Sequence, residues 1–174
     1  MKKEKIFAIL LLIGILWWSV KLIRAAEESA VTATVTATNL SVSVADATVS
    51  YGGLSVGTSA TTAINDGDSL DDSQDAVNIG NTDAKFNIRG MNSTPDNWTL
   101  AADPASEIYS HDFCTSSCDA SPSWTALTTS NQTFVASIGV GSTQNFDLRI
   151  RMPSLTTHYD AQTVSVTVQA TTGP

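Results

Sequence analysis

Positive charge is nearly missing from most of this chain. Nine Lys and Arg residues occur in 174, and five of them (Lys2, Lys3, Lys5, Lys21, Arg24) precede Glu27. From Glu27 onward only Lys85, Arg89, Arg149 and Arg151 stand against sixteen acids, a net of −12. Phosphate contacts need clustered Lys and Arg, so the balance argues against DNA or RNA as a partner. A part this acidic stays soluble and is repelled by anionic lipid. Histidine is almost as scarce, with only His111 and His158. No G-x-S-x-G elbow occurs. Gly139-Val-Gly-Ser-Thr143 lacks the lysine of a phosphate loop and reads as a turn. No nucleophile, base and orienting group can be assembled, so the chain reads as a non-enzyme that requires no cofactor. No cysteine precedes Cys114, which excludes lipid modification of an N-terminal cysteine. Helical periodicity is missing after the first 26 residues.

The first 26 residues are a different kind of sequence. Three lysines in MKKEK precede Ile6–Val20, fifteen residues without a charge, including Ile6, Leu10, Leu16, Trp17, Trp18 and Val20. A basic start and an apolar run of this length form a Sec-type export signal. Positive charge is retained inside, so the N-terminus stays cytoplasmic and the rest is exported. Two outcomes stand open. Cleavage wants small residues at −3 and −1, yet cuts after Ala26 or Ala25 place Arg24 or Ile23 at −3. If uncleaved, Ile6–Ile23 gives a helix of about 27 Å, close to the roughly 30 Å of a bilayer core. Trp17 and Trp18 would then sit at the outer interface, with Lys21 and Arg24 snorkelling. Residues 1–26 are thus a signal peptide or a membrane anchor. Residues 27–174 form one exported domain with its core over about 31–171.

That domain alternates. Ala84, Phe86 and Ile88 fall on one side of a strand, with Lys85, Asn87 and Arg89 on the other. Phe146, Leu148, Ile150 and Met152 alternate with Asp147, Arg149 and Arg151, and Pro153 ends the run. Val164, Val166, Val168 and Ala170 form a third such face. One apolar and one polar face per strand is the habit of antiparallel sheets. Asp75–Asp83 reads as a strand and then a turn into the Ala84 strand, a shorter strand is expected at Trp98–Ala101, and short runs flank Gly52-Gly53. The pattern gives an all-β antiparallel sandwich of seven to nine strands behind one N-terminal hydrophobic helix. The Phe146 and Val164 strands are expected to be adjacent.

Two constellations carry possible chemistry. Cys114 and Cys118 are the only cysteines. In an exported chain they imply a disulfide. It would pin the excursion Ser110–Trp124 and, closing so short a loop, contribute about 2 kcal/mol. His111 and Asp112 lie close enough in sequence to keep a metal reading open. The second is acidic. Asp66, Asp68, Asp71, Asp72 and Asp75 crowd one loop, and hard oxygen ligands suit Ca²⁺. The EF-hand pattern fails, because Leu70, Asp71 and Val77 occupy its fifth, sixth and twelfth positions counted from Asp66. A solvated acidic loop is the competing reading. Trp98 and Trp124 are expected to pack in the core or at its rim; exposed, they would suit a carbohydrate face.

Three stretches carry a resemblance: Asn78–Gly90, Asn97–Leu100, and Tyr159 with Thr163–Ala170. Together they are similar to the immunoglobulin-like β-sandwich modules of bacterial cell-surface and secreted proteins. Trp98-Thr99-Leu100 also resembles the tripeptide of WxL cell-wall-binding domains. That family has a second such motif near its C-terminus, and this chain has none. Secreted fibre-forming proteins of the TasA and camelysin kind are similar in joining a signal peptide to a β-sandwich. The resemblance implies a structural, adhesive or binding role at the cell surface. Partners would be the membrane through an uncleaved leader, a surface glycan or protein, or further copies of the chain.

Self-association has its own segment. In VTATVTATNLSVSV (Val31–Val44), Val31, Ala33, Val35 and Ala37 are odd, whereas Leu40, Val42 and Val44 are even. A one-residue slip exchanges the two faces of a strand. The stretch is therefore two strands, or one with a bulge at Asn39. Its first half, Val31–Ala37, is free to add as a strand to another copy and build a filament.

Overall fold

The computed structural model describes residues 32–64 and 70–173. Val31, Asp66, Asp68 and the whole leader, with its expected helix, lie outside them. Two units divide the chain, 1–36 and 37–174. Of the first, only Thr32–Thr36 is described. These five residues are exposed and in no strand. The fold and the cleft described below belong to the second unit.

The described residues form ten strands and no helix. They are β1 (Val42–Val44), β2 (Ser59–Thr61), β3 (Gln74–Asn78), β4 (Ala84–Gly90), β5 (Thr99–Leu100), β6 (Ile108–Cys114), β7 (Thr125–Ala126), β8 (Gln132–Ile138), β9 (Thr143–Arg151) and β10 (Val166–Thr172). The excess over the expected seven to nine comes from pieces of two or three residues, which have no periodicity to read.

The longest strand, β9, organises the larger sheet, ordered β1-β3-β9-β6-β5. One side of β9 pairs with β3 and then β2, and its other side pairs with β6, all antiparallel. The short β7 pairs with β6, and β5 runs parallel to it. A smaller sheet faces it, ordered β10-β4-β8 and antiparallel throughout. The result is an all-β, two-sheet sandwich.

Alternation put the expected residues inside. Phe86, Ile88, Phe146, Leu148 and Ile150 are all buried in one core cluster. Each such side chain stabilises by roughly 1.5–3 kcal/mol when fully buried. Phe134 packs edge-on against both Phe113 and Phe146, with centroids 5.9 and 5.1 Å apart. These aromatic pairs fasten β8 of the small sheet to β6 and β9 of the large one.

The expectation that the Phe146 and Val164 runs are neighbours is corrected. The first is β9 in the large sheet; the second leads into β10, which pairs with β4 in the small sheet. The connecting segment is stitched elsewhere. Ser154 N donates to Ala105 O, Glu107 N to Leu155 O, and Thr163 exchanges backbone bonds with Thr94. These bonds carry the chain across from one sheet to the other.

The described part of Val31–Val44, residues 32–44, is also simpler than expected, since only Val42–Val44 is a strand there. The phase break at Asn39 has a physical cause. Asn39 N donates to Asn81 Oδ1 at 2.7 Å, and Asn81 Nδ2 donates to Ala37 O at 2.8 Å. Asn81 N also donates to Asn39 O at 3.1 Å. Gly80 makes this approach possible, because a Cβ there would lie 2.4 Å from Asn39 O. Beyond the clamp, Leu40, Val42 and Val44 pack against the core.

The charges are unevenly placed. β4, β8 and β10 contain no carboxylate and carry Lys85 and Arg89. Asp75, Asp112 and Asp147 all sit in strands of the larger sheet.

Candidate functional site, a cleft between the sheets

The two sheets part along β10. A cleft of about 950 Å³ opens there. Leu148 and Ile150 of β9 form one wall, Val166 and Val168 of β10 the other, and Val49 and Leu54 close one side. The β10 valines are only half-buried, and β10 has no strand partner beyond β4 among the described residues. Ligand sites of small molecules are concave, largely apolar and of roughly 300–1,000 Å³.

Polar side chains line the cleft too, Gln74, Thr156, His158 and Gln162 among them, and two of its polar groups, Tyr51 and His111, bond to each other. The alternation of β6 turns Tyr109, His111 and Phe113 towards the core and Ser110 and Asp112 away from it. His111 is 2% exposed, and its Nε2 lies 2.9 Å from Tyr51 Oη. Its Nδ1 is buried without a partner. Burial pushes the imidazole down to about 4, against a weaker upward pull from Asp112, so the ring is neutral at neutral pH. Burial, then the charges of Asp72, Asp112 and Asp147, hold the Tyr51 phenol above its ordinary range. Both groups are therefore uncharged, and the field at the phenol is negative.

Behind the large sheet the charged groups are consumed by the fold. Asp112 is 1% exposed. Its Oδ2 accepts from Arg149 Nε at 2.9 Å, Arg149 Nη2 at 2.7 Å and Arg151 Nε at 3.1 Å, and its Oδ1 from Ser110 Oγ at 2.8 Å. Two guanidinium groups and a hydroxyl thus satisfy the oxygens of this buried carboxylate. Asp147 is similarly held, by Thr62 Oγ1 at 2.9 Å and Ser73 Oγ at 2.6 Å. Cys114 and Cys118 form a disulfide with Cα atoms 5.8 Å apart. It packs with Ala63 and half-buried Trp124, and the Arg149 guanidinium lies 4.9 Å from that indole. His111 and Asp112 point to opposite faces of β6 and the thiols are joined to each other, so these four groups do not converge.

The acids of the loop are dispersed where they are described. Asp72 Oδ1 accepts from Gln74 Nε2 at 3.0 Å, and Asp75 accepts from Asn145 Nδ2. Desolvation, then repulsion from Asp46, raises the Asp72 carboxyl. Among the described residues no group of three or more His, Cys, Asp or Glu is placed to hold a metal ion. Asp66 and Asp68 lie outside the described residues. Trp98 is buried and donates from Nε1 to Thr156 Oγ1 at 3.0 Å, so its indole serves the core. Val35 is 95% exposed.

Sequence reasoning did not find the cleft or its polar pair. The parity of Tyr109-Ser-His-Asp-Phe113 was a usable signal, since it puts His111 between two aromatics on the core side. Tyr51 gave none, because it lies in a strandless segment sixty residues away. Comparison with protein-family models, curated proteins and solved structures finds no match to this chain.

Proposed function

We propose that this chain is a non-catalytic surface module, exported by its leader and either released or held by it, whose role is structural, adhesive or binding. The sandwich is read as immunoglobulin-like, and its binding element as the cleft along β10. One observation carries this reading: the open apolar space sits between the sheets while Asp112, Asp147 and the cysteines are occupied in the fold's own bonds. An exported chain of this kind is recovered outside the cytoplasm with its disulfide formed. Intact mass of the fractionated protein checks this and shows whether residues 1–26 remain. Recovery in the cytoplasm with both thiols free would sink the reading.

A second reading is favoured by the exposure of Val35. In it the protein is a filament subunit, and the segment around Ala33, Val35 and Ala37 adds as a strand to another copy. Val35→Asp is then expected to abolish fibres while leaving the melting temperature of the domain unchanged. A wild-type protein that stays strictly monomeric at high concentration, with no fibres in negative stain, rules this out.

A further inference from the structure

We infer that the cleft along β10 takes an uncharged, largely apolar molecule bearing a hydroxyl group, which hydrogen-bonds the phenol of Tyr51. This rests on the binding role proposed above and adds the chemistry of the ligand. The walls fix the apolar part. Leu148, Ile150, Val166 and Val168 offer only carbon, and the β10 valines are half-buried without cover. Covering such surface is favourable in proportion to the apolar area removed from water.

The polar part follows from the floor. Tyr51 Oη uses one of its bonding positions on His111 Nε2. A phenol has one donor and two acceptor positions, so an acceptor remains whichever tautomer the ring holds. A ligand hydroxyl can donate to it. A carboxylate only accepts, so it finds no donor on the phenol when Tyr51 gives its proton to Nε2, and in either tautomer it would enter a cleft with no Lys or Arg among its lining residues, where burying an unpaired anion is strongly unfavourable. A cation fares no better. Asp160 is the only carboxylate among the lining residues, and it is exposed at the rim. Burying an ammonium group without a partner is strongly unfavourable. The unpartnered His111 Nδ1 beside this phenol marks the floor as a place where the fold leaves hydrogen bonding incomplete, which native cores rarely do.

The experiment uses the protein as recovered from the exporting cell and an uncharged fluorophore, N-phenyl-1-naphthylamine. Val166→Trp fills the cleft and controls for probe taken up elsewhere. The wild type is expected to take up the probe saturably, and Val166→Trp to lose that uptake with an unchanged melt. At pH 8, 1-dodecanol should displace the probe at about tenfold lower concentration than dodecane, the upper end of what one hydrogen bond contributes. Dodecanoate should be weaker than dodecanol by at least as much. Tyr51→Phe should still take up the probe but lose the preference for the alcohol. If dodecane or dodecanoate matches dodecanol in a cleft that Val166→Trp blocks, the hydroxyl inference is overturned and the binding role stands. No saturable uptake overturns both. Probe release in step with self-association would assign the cleft to a strand of another copy and overturn the inference.

Discussion

His111 shows how one buried side chain sets a pH response. Its folded-state value near 4 lies below the ordinary histidine value of 6.5. Between the two, the unfolded chain binds a proton that the native chain does not, so stability falls as the pH falls. A shift of this size corresponds to about 3 kcal/mol lost between pH 7 and pH 4, at about 1.4 kcal/mol per unit. Urea melts across that range should show the loss, and His111→Gln should flatten it. An equally steep dependence in the variant would refute the assignment. Glu107 acts lower on the scale. Hydrogen bonds from Thr156 and then Thr157 lower its carboxyl, so its contribution disappears only as the pH falls through a value below the ordinary glutamate range. Asp72, raised by desolvation, works in the opposite direction in the aspartate range.

Elements explain what could be read in advance and what could not. β4 and β9 were legible because apolar and polar residues alternate from Ala84 to Arg89 and from Phe146 to Arg151, which leaves one choice of inner face. The half-buried β10 was legible in parity, but its neighbour was not. Adjacency in sequence suggested β9, whereas the backbone bonds from Ser154 to Ala105 and between Thr163 and Thr94 lead the chain to β4. Short elements escape altogether. β5 and β7 have two residues each and exist because β6 offers them an edge. The break at Asn39 was visible as a change of phase, but its cause, Asn81 forty-two residues on, was not. Gly80 makes that clamp testable. Gly80→Ala would press a Cβ into Asn39 O, and overpacking of this kind destabilises by about 1–3 kcal/mol. Hydrogen exchange should then accelerate at Val42–Val44 while β9 stays protected; unchanged protection at β1 would show that the clamp contributes nothing.

At the scale of the whole molecule, composition was a reliable guide to fold class and a poor one to the site. Scarce cations, alternating strands and the cysteine pair pointed to an acidic, all-β, disulfide-bearing domain. The cleft depends on which strands stop short of one another, a property of tertiary arrangement that no local pattern encodes. The acidic run illustrates the converse. Asp71, Asp72 and Asp75 are close in sequence, yet Asp72 is bound by Gln74 and Asp75 by Asn145 of β9.

The small sheet, with two cations and no carboxylate in its strands, gives the domain a polarity that its net charge conceals. Of the four cations after Glu27, Arg149 pairs with Asp112 and Arg151 with Asp112 and Asp103, which leaves Lys85 and Arg89 on β4 as the cations of the small sheet. Two copies of so acidic a body repel one another, least where this facet leads. Over the roughly 8 Å that charge is felt in physiological salt, this facet is the side from which another acidic body meets the least repulsion.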